Sequence, residues 1–199
     1  MAAIKFNVVL FDGFETLDAM GPAEVVGKLP EHYDVTCISL NGGTVTSAQQ
    51  VRFDTLSFEQ ADPTGIVLIP GGAGTRVLVN DAAFVDALRQ MTRQARWVLT
   101  VCTGTALLAK TSLLDGRPAT TNKMVFDWVV SQGPRVDWEK SARWVVDGNC
   151  YTSSGISAGI DMTLGFVADR LGDETARLIA RRMEYLWNDD RQNDPFALL

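Results

Sequence analysis

Three short stretches of the chain are apolar almost without interruption: Phe6 to Phe11, Ile66 to Pro70 and Trp97 to Val101. Runs of that length are the pattern of strands buried on both faces of a parallel sheet. Tyr33 to Leu40 reads as a further strand. Elsewhere the period becomes helical. Asp81 to Ala95 sets Phe84, Leu88, Met91 and Ala95 on one face, and Gly155 to Leu171 does the same with Ile156, Ile160, Leu164, Val167 and Leu171. A last helix from Gly172-Asp173 turns Ala176, Ile179, Met183 and Leu186 inward. Shorter helices are expected from Gly21-Pro22 to about Leu29, with Pro22 at the first helical position, from the residues after Cys102 to about Lys110, and from Met124 to Val130.

Asn41-Gly42-Gly43 reads as a turn and Val45 to Phe53 as a hairpin off the sheet. Asp115-Gly116 is a turn and Pro118 to Thr121 a short strand. Val136 to Val146 and Cys150 to Ser153 are short strands flanking Asp147-Gly148-Asn149. The end, Trp187 to Leu199, is polar and is expected to fray or dock loosely. The order predicts a three-layer α/β/α sandwich with a mostly parallel sheet, one domain over residues 1–199 with no linker or internal repeat.

Composition narrows the function classes. With 18 basic and 24 acidic side chains, a formal net charge of -6 and a pI near 4.8, the chain is a poor partner for nucleic acid. No apolar run approaches a membrane span, and the start lacks a secretory signal. Cys37, Cys102 and Cys150 are odd in number, far apart and without a CxxC, the usage of free thiols in a reducing cytoplasm. One histidine, His32, in a Pro-Glu-His loop, removes most zinc-site and Cys–His schemes. The expectation is a cytoplasmic protein that handles a small-molecule substrate without metal or cofactor.

Three segments fall at predicted strand C-termini, where open α/β sheets bind ligands. One is the Cys102 turn, an apolar run stopping at a cysteine with a small-residue helix start behind it. The first amides of that helix would favour an anion, so the thiol would ionise more readily than a free one. The alternative is a buried, inert cysteine. Asp18, between the first strand and its helix, is a second candidate, or a plain helix-start acid. Gly71 to Gly74 is the third: it lacks the lysine–hydroxyl pair of a phosphate loop, but lets backbone amides approach a ligand.

Read together, Leu17-Asp18-Ala19-Met20-Gly21-Pro22, Ile69-Pro70-Gly71-Gly72-Ala73-Gly74, Val101-Cys102-Thr103-Gly104, Arg117-Pro118-Ala119-Thr120-Thr121 and Gly155-Ile156-Ser157-Ala158-Gly159-Ile160-Asp161 resemble the ThiJ/PfpI superfamily, over Phe6 to about Trp187. Within it the chain is most similar to the isonitrile (isocyanide) hydratase-like branch and to the ligand domains of AraC-type regulators. The resemblance implies a flavodoxin-like fold, a nucleophile-elbow cysteine at Cys102, an acid hydrogen-bonded to it at Asp18, and a homodimer with the site near its interface. Two departures bear on the chemistry: Thr103 follows the cysteine where peptidase-like members have histidine, and Asn122 stands where hydratase-like members often have it. A Cys–His protease or amidotransferase is thereby disfavoured.

On the hydratase reading Cys102 attacks the terminal carbon of R–N≡C while protonated Asp18 delivers a proton, and water then releases an N-substituted formamide. Backbone amides of Gly72, Ala73 and Thr103 would stabilise developing negative charge. Asn122 would hold a water or the substrate nitrogen, with a structural amide cap the alternative. Gly155 to Ser157 would line the pocket, with capping by Ser154 or Ser157 as the alternative. Phe126, Trp128 and Trp138 are pocket, core or dimer-face candidates. Two other functions stand beside this one: a glyoxalase- or deglycase-like activity on α-oxoaldehydes, and a non-catalytic redox-sensing or ligand-binding domain in which Cys102 oxidises. Because the chain ends at Leu199 without a helix-turn-helix region, a regulator is not expected.

Overall fold

The apolar runs form the middle of the sheet in the computed structural model, which describes residues 2–197. Strand β1 (Ile4–Val9) pairs in parallel with β2 (Tyr33–Ser39) on one side and with β5 (Ile66–Ile69) on the other. Beyond β5 lie β6 (Trp97–Val101) and β10 (Cys150–Ser153), both parallel. Every residue of β5, β6 and β10 is buried, so neither face of these strands needs a polar residue.

Antiparallel partners close both edges. The hairpin of β3 (Asn41–Thr46) and β4 (Arg52–Ser57) continues the sheet because β4 pairs in parallel with β2. Strand β9 (Trp144–Asp147) covers β10. The sheet order is therefore β3-β4-β2-β1-β5-β6-β10-β9. Its core order, β2-β1-β5-β6-β10, reverses direction between β1 and β5, as in flavodoxin-like sheets.

Helices lie on both faces. On one, α1 (Thr16–Gly27), α6 (Ala158–Leu171) and α7 (Asp173–Arg182) pack together. On the other are α2 (Thr75–Leu78), α3 (Ala82–Gln94), α4 (Gly104–Lys110) and α5 (Phe126–Gln132). The expected face of α3 is buried at Phe84, Leu88, Met91 and Ala95, and Asp81 caps the helix by accepting the N–H groups of Ala83 and Phe84. A small parallel pair, β7 (Pro118–Ala119) and β8 (Asp137–Trp138), lies apart from the main sheet. Among the described residues no helix is long and apolar enough to cross a membrane.

Several local expectations are corrected. Helix α1 begins at Thr16, so Pro22 sits inside it. Inside the helix Pro22 packs on the buried face with Ala19, Val25 and Val26. Asn41-Gly42-Gly43 opens β3 rather than turning, Gly42 and Gly43 taking φ of 73° and 83° within the strand. Helix α7 stops at Arg182 and Glu184 takes φ 50°, which throws Leu186 into solvent at 95% exposure. Ile156 precedes α6 and is exposed. The C-terminal segment is docked firmly: buried Arg143 pairs with buried Asp161, whose Oδ1 accepts the Tyr185 hydroxyl and the Asn188 N–H.

Candidate active site

Four chain segments leave the sheet on the same side, after β1, β5, β6 and β10, and each contributes one part of a single buried cluster. The loop after β1 is tied to the loop after β5 by a bridge between Phe14 and Gly72 and by the Glu15 N–H donating to the Gly71 carbonyl at 2.9 Å. That tie places Asp18, in the first turn of α1, over Gly71, whose N–H donates to Asp18 Oδ2 at 2.9 Å. The other carboxyl oxygen, Oδ1, is buried and makes no regular hydrogen bond. The Cys102 thiol is close enough to the carboxyl to interact with it.

Cys102 has φ 57°, a left-handed conformation that a non-glycine residue holds at a cost of about 1–3 kcal/mol. The surroundings enforce it. Its N–H donates to the carbonyls of Ser153 and Ser154, both at 3.2 Å, and its carbonyl accepts the Thr121 hydroxyl at 2.7 Å. Gly104 then lets the chain enter α4 against the end of β5, where a Cβ would come within 2.2 Å of the Ile69 carbonyl oxygen. The strand-to-helix elbow is thus held from β10, from the Thr120-Thr121 segment and from β5.

Donors converge on the sulfur. Asn122 Nδ2 donates to Cys102 Sγ at 3.1 Å. Asn122 Oδ1 accepts the Val125 N–H at 3.1 Å, which fixes the amide so that its NH2 group faces the thiol. The backbone N–H and the hydroxyl of Thr103 lie beside the sulfur and, like the Asn122 amide, favour its charged form. Gly155 closes the fourth side: a Cβ there would lie 2.9 Å from Sγ and 2.4 Å from Asn122 Nδ2. The absence of a side chain at 155 is what allows the β10 loop to pass so near the thiol.

Burial dominates the electrostatics. Asp18 is wholly buried, and desolvation pushes its carboxyl up to about 8, with the Gly71 N–H pulling it down and the charge of Glu15 pushing it further up. Cys102 is 6% exposed, and burial, followed by the charge of Asp18, pushes its thiol up as well, against the Thr103 and Asn122 donors. Burial therefore works against the readily ionised thiol expected at the elbow, and the donors there oppose it. Burial disfavours the charged form of both groups, and the charge of Asp18 further disfavours that of Cys102.

The structure brings Asp18, Gly72, Thr103 and Asn122 together around Cys102, but not in every anticipated role. The Gly72 N–H donates to Thr103 Oγ1 at 3.0 Å, which removes it as a free oxyanion donor. Thr103 Oγ1 is further held by the Thr75 hydroxyl at 3.1 Å. Ala73 lies exposed at the edge of the site. Asn122 acts on the thiol itself as well as capping Val125. Phe126 and Trp138 pack edge to face at 6.2 Å, and Trp128 lies under Arg76. Thr121, Glu15 and Thr75 were not anticipated; Thr121 stood in the Arg-Pro-Ala-Thr-Thr motif, whereas the roles of Glu15 and Thr75 depend on contacts between distant segments. His32 is exposed in its loop.

Comparison with known proteins bears on this geometry. The model of the DJ-1/PfpI family matches residues 5–169. The chain is 34% identical over 186 residues to an isonitrile hydratase of Pseudomonas putida, covering 92% of this chain and 79% of that protein. It is 30% identical to a deglycase of Pyrococcus abyssi over 75% of this chain and 89% of that one. A solved ThiJ/PfpI family protein from Pseudomonas syringae superposes with a TM-score of 0.84 at 26% identity, covering 93% of this chain and 76% of that chain.

Proposed function

The chain belongs to the DJ-1/PfpI family, and we propose that within it this protein hydrates isonitriles to N-substituted formamides, with Cys102 as nucleophile and Asp18 as the acid and base. The observation that carries this reading is the buried Asp18 carboxyl beside the Cys102 thiol, with one carboxyl oxygen anchored by Gly71 and the other left without a regular hydrogen bond. The similarity to a curated isonitrile hydratase supports the same choice of substrate.

The terminal carbon of R–N≡C accepts a nucleophile and a proton at the same atom. Asp18 gives its proton to that carbon while the sulfur forms the C–S bond and passes the thiol proton to the carboxylate, so R–N≡C and HS–Cys102 become R–N=CH–S–Cys102. Water then adds across the C=N bond: Asp18, protonated again by the thiol, gives that proton to nitrogen and takes one from the attacking water. Collapse breaks the C–S bond, returns the hydroxyl proton to sulfur and releases R–NH–CHO. The Thr103 N–H and the Asn122 amide stabilise the sulfur whenever it carries negative charge. No metal, redox partner or histidine enters these steps. Leu17, beside Asp18, Met124, just after Asn122, and Ile156, beside Gly155, are exposed apolar side chains that we assign to the R group.

We place the protein in the cell as a cytoplasmic homodimer, the assembly implied by the resemblance; light scattering would then give twice 21.7 kDa. A deglycase-like activity is the second reading, supported by the similarity to the Pyrococcus abyssi deglycase. Incubation with an alkyl isonitrile and, separately, with methylglyoxal distinguishes the two. Chromatographic appearance of the formamide, without lactate from methylglyoxal, is the expected result. Lactate without formamide would replace the hydratase reading with the deglycase-like one.

A further inference from the structure

The opposite end of the sheet, at the starts of β1, β2 and β6, holds a cavity of about 830 Å³ that the proposed chemistry does not use. Its floor is aromatic. Tyr33 and Trp97 are 4% and 9% exposed, and both rest on the ring of Phe166, at 6.3 and 5.6 Å between centroids. Two arginines stand over Trp97, Arg96 at 4.3 Å and Arg170 at 5.4 Å from the ring centroid. Stacking on an indole holds a guanidinium in place without using up its donors. Neither guanidinium is in an ion pair among the described residues. The Tyr33 hydroxyl, within the field of both arginines, has no hydrogen-bond partner there either.

The acids nearby are otherwise engaged or peripheral. Asp169 Oδ2 accepts the Tyr151 hydroxyl at 2.8 Å, and Glu31 lies 3.8 Å from His32 in an exposed loop. Two guanidiniums stacked on one indole, and a phenol, none of them paired with a protein acceptor among the described residues, line one cavity. Its acids, Glu31 and Asp169, lie at its rim, in a chain whose net charge is -6. We propose that this cavity binds a small organic carboxylate. The carboxylate would lie between Arg96 and Arg170 and accept the Tyr33 hydroxyl, while its carbon skeleton covers Ile4 and Leu171. Planar, bidentate recognition suits a carboxylate on arginine. Glu31 and Asp169 at the rim favour a single negative charge over a phosphate dianion, and the volume is that of a small-molecule pocket.

The test is a titration of the full chain with sodium benzoate, followed by amide and indole NMR shifts, with benzamide and inorganic phosphate as comparison ligands. Expected are saturable shifts at Tyr33, Trp97 and Leu171 at about millimolar benzoate or below. Arg96→Gln and Arg170→Gln, both at exposed positions, should each weaken binding by about tenfold, and Tyr33→Phe should weaken it less. Benzamide should not bind, and phosphate should bind more weakly than benzoate. Absence of saturation, equal binding of benzamide, or unchanged affinity in both arginine variants would overturn the site. Tighter binding of phosphate would overturn the carboxylate class. None of these readouts depends on Cys102, so the outcome is independent of whether isonitriles are turned over.

Discussion

Asp18 is a carboxylic acid held where its charged form is poorly solvated, and that has a consequence for stability as well as for chemistry. Its native pKa lies near 8 against 3.8 in the unfolded chain, so folding favours the protonated form. The contribution is therefore fully present below about pH 4 and is lost as pH rises through about 8, at roughly 1.4 kcal/mol per pH unit. Asp18→Asn keeps the shape and the Gly71 contact but cannot ionise. It should melt higher than the wild type at neutral and mildly alkaline pH, with the gap closing toward pH 4 in calorimetry. The same variant should lose turnover by at least about a hundredfold, because no proton donor or acceptor remains at the carbon. In the wild type, turnover should fall as pH rises through about 8, where Asp18 gives up the proton it must deliver. A rate that rises across that range would mean the carboxylate form is the active one.

At the scale of elements, the site depends on how closely four strand ends approach one another. Gly155 makes the tightest approach, and Gly155→Ala should drive its methyl group against Sγ and the Asn122 amide. A loss of about tenfold or more in kcat, with little change in KM, is the expected reading, since a small misplacement of reacting groups lowers the rate more than the affinity. Wild-type kcat in this variant would show that the Asn122–sulfur contact is not needed.

This is also the scale at which the sequence was most and least legible. The buried strands Ile66–Ile69 and Trp97–Val101 were readable because burial on both faces leaves no polar position to confuse the period. The long amphipathic α3 was readable for the converse reason, a clear apolar face and a capping Asp81. Proline and glycine misled where tertiary packing overrode local preference, at Pro22 inside α1 and at Gly42-Gly43 inside β3. Cys102 and Asp18 were legible as residues at strand ends. A protonated Asp18 was expected, and burial pushes its carboxyl up accordingly. The direction for the thiol was not legible, because loss of water around it is a property of the whole packed cluster.

Across the whole molecule, the C-terminal segment is fastened by charges that lie deep inside. Arg143 Nε and Nη2 both reach Asp161 Oδ2, at 2.7 and 2.6 Å, with Asp194 Oδ2 farther away at 3.7 Å. The Arg191 carbonyl accepts the backbone N–H groups of Arg143 and Trp144, so the segment also covers the start of edge strand β9. From Arg143 the path is short: its carbonyl accepts the Ser154 N–H, and the Ser154 carbonyl accepts the Cys102 N–H. Removing Asp161 leaves Arg143 buried without its main partner and frees the Tyr185 and Asn188 contacts. Asp161→Ala should destabilise the fold by about 3–5 kcal/mol in denaturant unfolding, whereas Asp194→Asn, at the longer contact, should destabilise it far less. Equal effects from the two would mean that the segment is held by its backbone contacts rather than by the ion pair.

The central claim is that a thiol and a carboxylic acid, with no histidine, carry out the hydration. The most direct test compares initial rates of formamide formation from an alkyl isonitrile by the wild type and by Cys102→Ala at neutral pH. Steady formation by the wild type and none above the uncatalysed background from the variant is the expected result. Equal rates from the two proteins would contradict it.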